Sequence, residues 1–128
     1  MLFRSVLVAI MLFLAVNVQC AENAEDSKKF YEKVVQMQPN NANAHFDLGN
    51  VYLREKKYED ALIHYEKAGS LGLAALRMDN YYFNLSVCYA GLGRMDDAVK
   101  SLENCVKANP KNQEAIDLLK KYKDQLSP

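Results

Sequence analysis

From residue 46 onward, apolar positions recur at steps of three and four. Phe46, Leu48, Val51, Tyr52 and Leu53 lie at helical spacings, Lys56-Lys57 breaks the pattern, and Ala61, Leu62, Tyr65, Ala68 and Leu71 resume it. A helical period broken once and taken up again predicts two amphipathic helices joined by a tight turn. The pattern then repeats. Leu85, Cys88, Tyr89 and Leu92 form one stripe, and Gly93 is expected to end it. Ala98, Val99, Leu102, Cys105 and Val106 form the next, stopped by Asn109-Pro110. Asp96 stands where an N-cap is wanted. Glu59-Asp60 and Asp96-Asp97 read as first-turn acids favoured by the helix dipole.

The two halves are copies. HFDLGNVYLREKKYEDALIHY, His45 to Tyr65, aligns without gaps to YFNLSVCYAGLGRMDDAVKSL, Tyr82 to Leu102. Phe46 meets Phe83, Leu48 meets Leu85, Val51-Tyr52 meets Cys88-Tyr89, and Asp60-Ala61 meets Asp97-Ala98. Apolar and small residues recur, whereas His45 becomes Tyr82 and His64 becomes Ser101. A segment whose packing positions repeat is first a structural unit, stacked to bury a shared core.

These residues resemble the tetratricopeptide repeat, whose pattern is a bulky residue, Leu-Gly, Tyr, then Ala, an aromatic and Pro. The first copy reads His45, Leu48-Gly49, Tyr52, Ala61, Tyr65, with Leu73 where Pro would fall; the second reads Tyr82, Leu85-Ser86, Tyr89, Ala98, Leu102, Pro110. Gly49, Ser86, Ala61 and Ala98 are expected to let paired backbones approach while the tyrosines fill wider gaps. Pro39 stands eight residues after Tyr31, as Pro110 does after Leu102, so SKKFYEKVVQMQPNN looks like the second helix of an otherwise missing repeat. QEAIDLLKKYKDQL, with Ala115, Ile116, Leu119 and Tyr122 on one face, resembles a capping helix. The resemblance implies an all-α, right-handed solenoid of antiparallel helix pairs. Its expected divisions are 21–41 half-repeat, 42–75 first unit, 76–78 inserted junction, 79–112 second unit and 113–126 cap. At the junction GSLGLAALRMDN, either Gly72 ends the helix or Leu73 to Met78 prolong it.

The first twenty residues differ in kind. MLFRSVLVAIMLFLAVNVQC carries one early charge, Arg4, then a mostly apolar run from Val6 to Val18. Thirteen helical residues span ~20 Å, short of the ~30 Å hydrocarbon core of a bilayer. A secretory signal peptide over 1–20, cut after Cys20, is expected, hence export to a periplasm or the outside. The alternative is an uncleaved anchor tethering the chain to a membrane. Cys88 and Cys105 would remain, at offsets from the Gly93-Arg94 turn that disfavour a disulfide; two buried thiols are expected.

The 128 residues are 50% hydrophobic and 25% charged with no net formal charge. That suits one small domain and argues against nucleic acid as the main partner, which needs a basic face. His45 and His64 fall on opposite helices with no Cys or carboxylate at metal spacing, and no nucleophile elbow, phosphate loop or zinc signature is present. No enzyme, metal or cofactor is expected.

The resemblance implies a concave groove lined by the first helix of each pair, taking another protein or a peptide. Carried over residue by residue, the lining is Asn43, Phe46, Asp47, Asn50, Leu53 and Arg54, then Asn80, Phe83, Asn84, Val87 and Ala90. Phe46 and Phe83 are expected to offer apolar pockets, and Asn50 and Asn84 to bond a ligand's backbone with both amide groups. A subset of the family clamps a C-terminal carboxylate with basic residues. Here Phe46, Glu114 and Leu118 replace those, so the groove is expected to favour an apolar or mixed peptide. Homodimerisation, through the end helix at Ser27 to Met37 or the groove itself, is the competing expectation.

Overall fold

The computed structural model describes residues 2–128, with side chains described for 5–15 and 23–128. Six α-helices follow one another: α1 (Leu2–Met37), α2 (Ala42–Arg54), α3 (Tyr58–Leu71), α4 (Met78–Gly91), α5 (Met95–Ala108) and α6 (Gln113–Leu126). A single 3-10 turn, Ala75–Arg77, precedes α4, and there is no strand among the described residues. The closest packing joins α2 to α3 and α4 to α5, the two expected pairs; α1 packs on α2, α3 on α4, α5 on α6, and α2 touches α4.

The small residues sit where the pairs meet. Ala61, Ala68, Ser86, Ala98 and Cys105 are fully buried. At Gly49, an added Cβ would fall 2.7 Å from ring carbons of Tyr65, which is itself fully buried. The two pairs engage reciprocally. Tyr81 of α4 lies against Gly69 of α3, and Tyr58 of α3 lies against Gly91 of α4, where a Cβ would come within 2.5 Å of the ring. One core cluster gathers Phe46, Leu62, Tyr65, Tyr81, Leu85 and Cys88; a second gathers Leu102, Cys105 and Ala115 under α6.

Helix ends follow local chemistry. Asn41 and Asn112, each two residues past a proline, accept hydrogen bonds from the amides of Ala44 (3.0 Å) and Ala115 (3.1 Å), capping α2 and α6. Helix α4 closes with Gly93 at φ 75, the Arg94 amide bonding the Tyr89 carbonyl at 2.8 Å. The same turn closes α2, with the Lys57 amide on the Tyr52 carbonyl at 3.0 Å, but there Lys56 takes the left-handed position at φ 58.

One expectation changes. The Gly93 turn starts α5 at Met95, so Asp96 is not its N-cap. Arg94 is, with no side-chain capping bond, and Asp97 instead pairs with the Arg94 guanidinium at 2.8 Å. At the junction, Gly72 ends α3, and Leu73 to Met78 do not extend it; a bend and the 3-10 turn intervene.

Helix α1 runs unbroken from the apolar N-terminal stretch into the half-repeat. Lys28 reaches Glu55 at the end of α2 (3.5 Å). Val6, Leu7, Val8 and Ile10 to Leu14 are each at least half exposed. Among the described residues no helix is long and apolar enough to cross a membrane. The side chains of Val18 and Cys20, on which the expected cleavage position rests, lie outside the described residues.

Candidate functional site

A cleft of about 400 Å³ opens between α1, α2 and α4. Its walls are Tyr31 of α1, Asp47, Asn50, Leu53 and Arg54 of α2, and Asn84 of α4. Helical spacing explains the α2 contribution: positions 47, 50 and 54 are one turn apart and share a face. The floor is a hydrogen-bonded triad. The Tyr65 hydroxyl donates to Asn50 Oδ1 at 2.7 Å, and Asn84 Nδ2 donates to the same oxygen at 2.8 Å. Burial pushes the Tyr65 hydroxyl far above the ordinary phenol range, so it remains a donor at any working pH. Both acceptor positions of the Asn50 carbonyl are therefore taken. Among the described residues nothing bonds the Asn50 N–H₂ or the Asn84 carbonyl, so both donor and acceptor groups remain at the cleft.

Charge in the cleft is unevenly compensated. Asp47 meets Arg77 of the 3-10 turn, Nη1 to Oδ1, at 3.3 Å. Arg54 is exposed and has no ion-pair partner among the described residues.

Of the groove residues expected from the sequence, Asp47, Asn50, Leu53, Arg54 and Asn84 come together here. Asn43 and Asn80 are exposed near the starts of α2 and α4, outside the lining, and Val87 and Ala90 are half-buried outside it. The phenylalanines differ from expectation. Phe46 is only 5% exposed, packed on Tyr65 with ring centroids 5.7 Å apart and covered by the Arg77 guanidinium 5.3 Å from its centroid. Phe83 is half-buried against the cluster of Leu102, Cys105 and Ala115, which α5 and α6 form together. Neither ring lines the cleft, whose walls mix the polar side chains of Asp47, Asn50, Arg54 and Asn84 with Tyr31 and Leu53. Tyr31 was missed; the only sequence signal was its register with Pro39, which marks a half-repeat helix whose exposed edge borders the groove.

A second polar group lies at the junction of α1, α2 and α3. His45 Nδ1 and His64 Nδ1 are 3.2 Å apart, and His45 Nε2 faces the Pro39 carbonyl at 2.8 Å. A carbonyl only accepts, so His45 carries a proton on Nε2, and with both rings neutral His64 donates from Nδ1. The Tyr52 ring stacks on His64 at 5.4 Å, and its hydroxyl donates to Glu32 of α1 at 3.2 Å. Burial, and then the charge of His45, hold the His64 imidazole below its ordinary value. Among the described residues no three His, Cys, Asp or Glu side chains cluster as metal ligands. Cys88 and Cys105 are free and buried, and burial pushes the Cys88 thiol up to about 12.

Comparison with known proteins agrees with this architecture. Tetratricopeptide repeat family models match residues 30–63 and 79–112, together more than half of the chain. Hsp70-Hsp90 organizing protein 2 of Arabidopsis thaliana is 33% identical over 87 residues, which are 68% of this chain but only 15% of that protein. The first TPR of Spaghetti (RPAP3), bound to HSP90 peptide SRMEEVD, superposes with a TM-score of 0.74 at 21% identity, covering 88% of this chain and 86% of that one; that likeness is one of fold. YrrB, a TPR protein with an unusual peptide-binding site, gives a TM-score of 0.66 at 25% identity, covering 79% of this chain and 50% of that one. With paired helices, buried small residues and two matching repeat models, the chain belongs to the tetratricopeptide repeat family.

Proposed function

We propose that this chain is a small protein-interaction module that takes an extended peptide segment of another protein into the cleft between α1, α2 and α4. The observation that carries the reading is the amide pair Asn50 and Asn84, on successive inner helices, bonded to each other and to Tyr65 with the Asn50 N–H₂ and the Asn84 carbonyl unspent. An extended backbone presents N–H and C=O groups that match such a pair. One structurally similar protein is bound to an HSP90 peptide and another has a peptide-binding site, which supports the reading at the level of the fold. With neither Phe46 nor Phe83 lining the cleft, backbone recognition rests on its polar groups.

The test is selection from an immobilised random decapeptide library. The chain is expected to enrich a subset, and Asn84→Ala with Arg54→Ala to lose it while far-UV circular dichroism stays unchanged. That pair is chosen because it leaves Asn50 in place as acceptor for the buried Tyr65 hydroxyl. Enrichment that survives the double substitution removes the cleft from consideration.

Self-association is the second reading. Phe30 and Met37, seven residues apart on α1, are 61% and 71% exposed on the helix that ends the array. Light scattering across a hundredfold dilution separates a dimer through that face from a monomeric module. For residues 1–20 we propose an export leader, supported by the exposed apolar side chains of Val6 to Leu14 next to a polar stretch; the competing role is a membrane tether. The intact mass of the chain recovered from its host distinguishes the two.

A further inference from the structure

We propose that Phe46 and Asp47 form a seat for a cationic side chain of the bound peptide, an arginine above all, and that Arg77 occupies the seat as an internal stand-in until the ligand displaces it. The proposal rests on the reading of the cleft as a peptide groove and adds what that peptide carries.

The seat has the two features a guanidinium selects. The Phe46 ring supplies a π face, with the Arg77 guanidinium carbon 5.3 Å from its centroid. The Asp47 carboxylate supplies the counter-charge. Arg77 uses the seat incompletely. Its contact with Asp47 is a single bond of 3.3 Å, whereas a well-placed arginine forms two at roughly 2.7–2.9 Å. Among the described residues the second Asp47 oxygen has no partner. A ligand arginine approaching from the cleft, which Asp47 also lines, has the better geometry within reach.

The segment carrying Arg77 is loosely held. Gly72 has φ 92 and open space around it, Ala74 and Ala75 are exposed, and Leu76 is 82% exposed. The 3-10 turn has no side-chain cap, and Leu73 is the residue of the bend that packs on the core. So few buried contacts place the segment at the low end of local stability, where release of Arg77 is inexpensive. The register also fits. Asp47 and Asn50 are one turn apart on α2, ~5–6 Å between Cβ atoms. An extended peptide advances ~3.3 Å per residue, so a backbone held at Asn50 carries a side chain over Asp47 one or two positions away. While Arg77 sits in place, apparent affinity falls by the fraction of molecules in which the seat is closed.

The experiment is an NMR titration of the full chain with N-acetyl-arginine amide, and with N-acetyl-citrulline amide as the neutral isostere. Arg77→Ala is expected to bind the arginine probe ~10-fold more tightly than the parent chain, the scale of one exposed ion pair plus one cation–π contact. Shifts should centre on Phe46 and Asn50. Arg77→Gln, which keeps the stem over the ring, should give a smaller gain. Asp47→Asn in the Arg77→Ala background should abolish it, and citrulline should bind none of the variants comparably. Equal affinity of the parent chain and both Arg77 variants, or equal binding of citrulline, overturns the seat. Library selection separates this failure from that of the groove. Peptides enriched through Asn84 and Arg54 without arginine bias sink the seat alone, whereas no enrichment by the parent chain or the Arg77 variants sinks both.

Discussion

The contact between Gly49 and Tyr65 makes a quantitative prediction about how the first helix pair is built. In an unencumbered helix interior, glycine to alanine stabilises by about 1 kcal/mol. Here the new methyl would lie 2.7 Å from two ring carbons, against an optimal carbon–carbon separation of ~3.5–4.0 Å. The ring is fully buried and its hydroxyl is fixed on Asn50, so it cannot swing clear. Overpacking of this kind costs about 1–3 kcal/mol. Gly49→Ala should therefore be destabilising by about 1 kcal/mol, the opposite sign from an ordinary helical glycine. The second repeat shows the compensating solution, with Ser86 and Leu102 at the equivalent positions, both fully buried. Tyr65→Leu alone should cost about 2–4 kcal/mol through lost ring packing and the lost hydrogen bond. In the double variant the clash is gone and the alanine regains its helical advantage. The two effects should then fall short of additivity by about 1–3 kcal/mol. Urea unfolding followed by circular dichroism measures all three variants. A stabilised Gly49→Ala, or strict additivity, would refute the close-approach argument.

Three further outcomes are expected. Lys56→Gly relieves a left-handed lysine in a turn that Gly93 makes without strain, and should raise stability by about 1 kcal/mol in the same assay. The His64 imidazole is held below its ordinary value of 6.5, so the unfolded chain takes up its proton first as pH falls. That contribution to stability is complete above pH 6.5 and lost as pH falls below it through the depressed folded value; Asp60 and Glu32 oppose the shift, and His64→Gln should flatten the curve. Cys88, with its thiol pushed up to about 12, should resist thiol reagents at neutral pH in the native chain and react only in denaturant; rapid native labelling would contradict its burial.

Helix pairing was legible because it depends on period and on small residues at fixed offsets, both local in sequence. Lys56-Lys57 and Gly93 marked the turns, and Gly49, Ala61, Ser86 and Ala98 are buried where expected. The caps at Asn41 and Asn112 are also readable, two residues after Pro39 and Pro110. The candidate site was only half legible. Asn50 and Asn84 meet across successive inner helices although they are not equivalent positions, since in the alignment of the two copies Asn50 falls on Val87 and Asp47 on Asn84. The fates of Phe46 and Phe83 depend on Arg77 from the inserted turn and on the cluster that α5 and α6 form, contacts between distant segments that no periodicity carries. The His45–His64 contact was hidden for the same reason: it joins α2 to α3 at positions that do not recur in the second copy.

The exchange of tyrosines between α3 and α4 bears on how the array comes apart. Each helix inserts a ring into a notch left by a missing side chain on the other, at opposite ends of the shared contact. Neither pair can slide or rotate against its neighbour without withdrawing both rings. The boundary therefore couples the two pairs, and the array should melt in one step rather than repeat by repeat. A groove built across that boundary keeps its width until the whole molecule lets go.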